Sequence, residues 1–269
     1  MSRSRTAVLT TAGTVVGVSA VVVGARTLLD RQAAIARRRI GKPLGEEALD
    51  ADRVWRGGLG GEPIDLLLLG DSIAAGLGAQ HRKETLGARI AKRLARALDR
   101  PVRLRTAAVV GAETSMLAAQ LEALPAGYRP HVAVIVVGGN DVTHRIPIAA
   151  SAAELEAVVA RLRGLGAGVV VGTCPDLGAL RPVPQPLRAL GGRQSRRLAM
   201  AQASAALRAG ARPVSLRRAV GHLFVSHPEE MFSVDRFHPS ALGYRRTADA
   251  LLPAVVAAAA SAAAPLSPS

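Results

Sequence analysis

The sequence predicts an α/β fold with a parallel sheet covered by helices on both faces, and three observations carry that expectation. From residue 62 onward, short apolar runs alternate with longer helical stretches, the rhythm of strand–helix–strand units. One run, residues 64–69, ends in four consecutive leucines that leave no polar face, which suits a strand buried on both sides. Two of the runs stop at glycine and a small polar residue, at the carboxyl ends where such sheets present chemistry.

Five strands are predicted, over residues 64–69, 102–108, 132–137, 168–172 and 212–216. Parallel neighbours need a crossover of a dozen or more residues, and the helical stretches at 85–98, 114–124, 152–165 and 195–209 supply them. A final alanine-rich helix runs from about 239 to 260. The proline-rich segment at 176–192 is expected to be a partly rigid flap over the crevice.

With 269 residues the chain can bury one good-sized core plus appendages. The expected division is a membrane anchor or signal segment at 1–29, a basic and glycine-rich linker at 30–61, a catalytic domain at 62–262 and a tail at 263–269. Residues 7–25, "AVLTTAGTVVGVSAVVVGA", carry no charge over nineteen positions and are flanked by Arg3, Arg5 and Arg26. That length spans a bilayer, and cleavage after Val23-Gly24-Ala25 as a signal peptide is the rival reading. Both readings put the protein in the cell envelope, anchored or secreted. The arginines downstream outnumber those upstream, which leaves a cytoplasmic orientation open as well. Residues 1–60 are expected to be dispensable for chemistry.

The formal charge is +15, with only Lys42, Lys83 and Lys92 as lysines, so arginine supplies nearly all of it. Such a surface attracts anionic partners, but no nucleic-acid motif accompanies it and aromatic residues are 2% of the chain. No nucleic-acid partner is expected, and a substrate pocket is expected to be aliphatic. Cys174 is the only cysteine, so an intramolecular disulfide is impossible; before Pro175 at the end of an apolar run it reads as a buried structural thiol.

The chemistry-bearing residues fall in four short blocks. In "LLLLGDSIAAGLGA" the strand ends at Gly70, and Ser72 then sits where its hydroxyl can face the crevice with its own N–H available. The competing reading makes Asp71 and Ser72 a helix N-cap. In "FSVDRFHPSALGY" Asp235 and His238 are three apart, so that the carboxylate can hold one imidazole nitrogen while the other faces outward. In "VIVVGGNDVT" Asn140 offers a neutral amide donor to a developing oxyanion. In "TAAVVGAETSML" Gly111 leaves its backbone N–H unshielded, so Ser72 N–H, Gly111 N–H and the Asn140 amide form a candidate three-donor oxyanion hole. Asp71 and Asp141 read as loop-fixing carboxylates. His81, His131, His144, His222 and His227 lack partners at metal-ligand spacing, so neither a metal nor a cofactor is expected.

Those four blocks, in that order, resemble the SGNH or GDSL hydrolases over roughly residues 62–260. The resemblance implies a flavodoxin-like three-layer α/β/α fold with a five-stranded parallel sheet, metal-free Ser-His-Asp catalysis, and small-molecule or lipid ester substrates. It implies Ser72 as nucleophile, His238 as base and Asp235 as its orienting acid, with Ser72, Gly111 and Asn140 as oxyanion donors. The expected activity is hydrolysis of short or medium acyl esters. An O-acyltransferase using the same residues on a sugar or lipid hydroxyl is one alternative, and a basic envelope or nucleic-acid-binding module with an idle triad is another.

Overall fold

The computed structural model describes the backbone of residues 23–263. The apolar run at 7–25 lies almost wholly outside the described residues, as does nearly all of the tail at 263–269. Among the described residues no helix is long and apolar enough to cross a membrane.

A six-stranded sheet has the order β1-β3-β2-β4-β5-β6, with β1 at Val54–Trp55, β2 at Ile64–Gly70, β3 at Val102–Thr106, β4 at Val132–Val136, β5 at Gly168–Gly172 and β6 at Arg212–Val214. The last five are parallel to one another. Numbered by themselves they run 2-1-3-4-5, the flavodoxin order. The four leucines alternate across the sheet. Leu66 and Leu68 join a core with α3 (Leu86–Leu98) and α10 (Ala241–Ala263). Leu67 and Leu69 join a core on the other face with α4 (Leu117–Glu122) and α6 (Ile148–Gly164). A strand side chain alternates faces every residue, so a run without a polar position has both faces covered.

Three expectations need correction. The sheet has a sixth strand, because β1 pairs antiparallel with the β3 edge through Val54↔Arg103 and Trp55↔Val102. The span 30–61 is not a bare linker. It contains β1 and most of the helix α1, residues 23–40, and Ala51 and Trp55 are buried in the core. Glycines and an arginine run point to a linker, but Arg37 and Arg38 lie on the exposed side of α1 while Gln32 and Ala36, four apart, are buried on the other. The flap is also shorter than expected, since α7 begins at Leu187 and continues to Arg208. Gly191 and Gly192 lie inside this helix, where a Cβ on Gly192 would meet the Gly178 backbone at 2.9 Å, so close packing rather than chain breaking accounts for glycine at Gly192.

Candidate active site

The site opens at the carboxyl ends of β2 and β4, the neighbours between which the strand order reverses. β2 closes on Gly70 at φ +132°, where a Cβ would stand 1.9 Å from the Val136 carbonyl oxygen, so only glycine lets the two strands run this close. The buried Gln120 side chain accepts from Gly70 N–H at 2.9 Å and donates to Gly70 C=O at 2.8 Å. Asp71 then caps the short helix α2 (Ser72–Ala75), accepting from Ile73 N–H at 2.9 Å. The capping role and the cleft-facing hydroxyl are therefore divided between adjacent residues: Asp71 caps, and Ser72 is the first helical residue. A first-turn N–H has no intrahelical acceptor, which leaves that of Ser72 available.

Two short helices, α8 (His222–Ser226) and α9 (Pro228–Met231), follow β6, and His238 arrives from the loop between α9 and α10. Its Nε2 lies 2.9 Å from Ser72 Oγ and its Nδ1 lies 2.5 Å from Asp235 Oδ2. The spacing of three works through a side-chain turn, because Asp235 Oδ1 accepts from the N–H groups of Phe237 and His238, each at 3.0 Å. Burial pushes the Asp235 carboxyl up, but the bonds from the His238 ring and those two N–H groups outweigh it, and the carboxyl lies below its ordinary value.

Three residues that the sequence reading left aside set the distance between the serine and histidine loops. Gly78, at φ +105°, has no room for a side chain, since a Cβ would meet the Pro239 carbonyl at 2.5 Å. Ser233 Oγ donates to Gly78 C=O at 3.3 Å, and the fully buried Tyr244 hydroxyl donates to Leu77 C=O at 2.6 Å. The second glycine of "GLGA" was the one visible signal for this approach.

Asn140 sits in α5 (Gly139–Thr143), directly after β4. Its amide donates to Ala112 C=O at 2.9 Å, which ties it to the residue after Gly111 and leaves its second N–H for the cleft. Asp141 strengthens the same junction, accepting from Thr114 N–H at 3.1 Å and from Ser151 Oγ–H at 2.5 Å. Glu113 and His144 add an outer link at 2.6 Å. Ser72 and Asn140 both line the cleft, whereas Gly111 is exposed on its flank and is not a lining residue.

The cleft beside Ser72 is walled by Leu177, Leu180, Leu216 and Val220 together with Phe224, Phe232 and Phe237. An aliphatic pocket was expected, but these are all three phenylalanines of the chain, gathered in one place. Phe224 and Phe232 pack edge to face with centroids 4.9 Å apart, and Phe237 stands edge-on to His238 at 4.8 Å. Composition counts aromatic residues without saying where the fold collects them.

Burial pushes the Asp71 carboxyl up to about 6, against the opposing pull of the Ile73 N–H and of His238. A raised carboxyl adds stability that is present below its unfolded value of 3.8 and is lost as pH rises through about 6. Asp71→Asn keeps a capping oxygen, so its melting temperature is expected to gain on the native chain between pH 4 and 6 and to hold that gain above. Scanning calorimetry at pH 4, 5, 6 and 8 measures it; a difference that does not change with pH would refute the account. Burial likewise holds the Cys174 thiol well above its ordinary value, which keeps it protonated and inert. Among the described residues, no group of three or more His, Cys, Asp or Glu is arranged to hold a metal ion.

Residues 68–246 match the GDSL-like Lipase/Acylhydrolase family. A GDSL-like esterase of Mycobacterium tuberculosis is 42% identical over 263 residues, covering 93% of this chain and 83% of its own. Among solved structures, TesA superposes with a TM-score of 0.57 at 26% identity, over 71% of this chain and 97% of that one. An acetylxylan esterase from Geobacillus stearothermophilus gives 0.57 at 20% identity, over 72% and 95%, a likeness of fold alone.

Proposed function

The chain belongs to the GDSL-like lipase/acylhydrolase family and is an esterase, and from that premise we propose that Ser72, His238 and Asp235 carry its chemistry. The observation behind this reading is the hydrogen-bonded chain Ser72–His238–Asp235 opening onto an apolar cleft. His238 Nε2 takes the hydroxyl proton as Ser72 Oγ attacks the ester carbonyl, and the imidazolium is held by Asp235. The resulting oxyanion is received by Ser72 N–H and the second Asn140 N–H, with Gly111 N–H on the flank. Collapse passes the proton from His238 to the departing alcohol and leaves an acyl group on Ser72. Water, deprotonated by His238, then releases the acid and restores the serine.

The apolar and aromatic walls favour an acyl chain of short or medium length. We place the protein at the cell envelope on the strength of the uncharged run at 7–25 and its flanking arginines.

A fluorophosphonate phosphonylates an activated serine far faster than an ordinary hydroxyl, so the test is labelling of the full chain in excess EDTA, followed by peptide mapping. The expected result is one modified residue, Ser72, with loss of esterase turnover proportional to labelling and no effect of the chelator. Turnover that persists in fully labelled protein, or that EDTA abolishes and zinc restores, would overturn the reading.

A further inference from the structure

We infer that α1 is a brace for the flap and that Gln32 is its positioning residue, coupling the N-terminal helix to the acyl side of the cleft. The flap runs from Pro175 to Pro186, and its first half walls the cleft through Leu177, Ala179 and Leu180. That half is tied to α7 and to the turn after β6. Leu177 N–H donates to Ser195 Oγ at 3.1 Å, and the Asp176 carboxylate accepts from Arg196 at 3.3 Å and Arg217 at 3.1 Å. The second half is held from α1. Gln32 donates from Nε2 to Gln185 C=O at 2.5 Å and accepts at Oε1 from Leu187 N–H at 3.0 Å. Arg39, two turns further along α1, donates to Pro182 C=O at 3.3 Å.

Gln32 is 7% exposed, although α1 presents arginines on its other side. A buried amide whose donor is satisfied by Gln185 C=O at the end of the flap and whose acceptor is satisfied by Leu187 N–H at the start of α7 fixes the point where the flap enters that helix. The partners are 153 and 155 residues away in sequence, so the contact is a tertiary one that nothing local requires. Val183 N–H bonds back to Leu180 C=O at 3.1 Å, which links the braced half to the half that walls the cleft. Loss of the brace therefore leaves the serine and histidine loops untouched and loosens the wall that an acyl chain would contact. Cleavage after Ala25 would keep the brace, because Gln32 and Arg39 lie beyond it.

The test compares Gln32→Met, which keeps the bulk of the side chain and removes both hydrogen bonds, with Gln32→Glu, which keeps an acceptor for Leu187 N–H. Arg39→Ala is a third variant that leaves the buried position intact. Two readouts are taken on the full chain: amide exchange of residues 181–187, and kinetics on p-nitrophenyl esters from acetate to the longest acyl chain that the native protein hydrolyses. Two lost bonds are expected to speed exchange about tenfold or more in Gln32→Met, less in Gln32→Glu. KM for the longest ester should rise about fivefold to tenfold, with kcat on the acetate unchanged. The kinetic half rests on the esterase reading, whereas exchange does not. Unchanged exchange in Gln32→Met and Arg39→Ala overturns the brace whatever the activity, and equal losses of kcat on every ester assign Gln32 a general structural role instead.

Discussion

Ser72→Ala is expected to lower kcat on an activated short-chain ester by about four to six orders of magnitude, with no loss of fold. The hydroxyl is 2.9 Å from His238 Nε2 and belongs to a small side chain at the first position of α2, so its removal takes away the attacking atom and almost no packing. His238→Ala should cost about as much, and the double variant no more than either alone, because residues that act as one unit give non-additive losses. Asn140→Ala should be milder, about a hundredfold to a thousandfold, since it removes one donor to the oxyanion and spares the nucleophile. Steady-state kinetics with melting curves on each variant measure this. More than about a tenth of native turnover in Ser72→Ala would remove that residue from the mechanism.

A chain that begins at Gly57 is expected to lose much of its stability, against the expectation that residues 1–60 are dispensable. It lacks Trp55, which is 9% exposed, packs in the core and donates its indole N–H to Ala51 C=O at 3.2 Å. Removing a buried tryptophan costs about 3 to 5 kcal/mol, a large share of the roughly 5 to 15 kcal/mol that holds a domain together. The cut also removes Asp52, whose carboxylate accepts from Thr106 N–H at 2.9 Å, and the Arg53 carbonyl that receives Leu104 N–H at 3.0 Å. Those losses open the β3 edge, a site for aggregation. Urea unfolding should show a much lower midpoint for this chain, and the native midpoint for one that begins at Arg26. Equal midpoints for the two would return residues 26–56 to the status of a linker.

Local pattern was sufficient for the β/α alternation, for the two-faced β2 and for the small blocks around Ser72, Asn140 and His238. Each depends on a short-range rule: strand side chains alternate, chain breaks follow glycine, and a carboxylate reaches an N–H two or three residues on. Helix limits were less legible, as at α7, which begins at Leu187 inside the segment expected to be flap, with Gly192 packed against Gly178.

By itself, then, the sequence determined the parallel α/β class, the residues with chemistry to offer, and a core built from aliphatic side chains. The tertiary structure alone decided what those residues face. It brought His238 to Ser72 across 166 positions, through a gap at Gly78 that a single Cβ would close. It also gathered three scattered phenylalanines into one wall and turned an expected linker into an edge strand and a helix bonded to the start of α7. Such contacts depend on loop closure and shape complementarity between segments far apart in the chain, and neither leaves a periodic trace in the residues on one side of the contact.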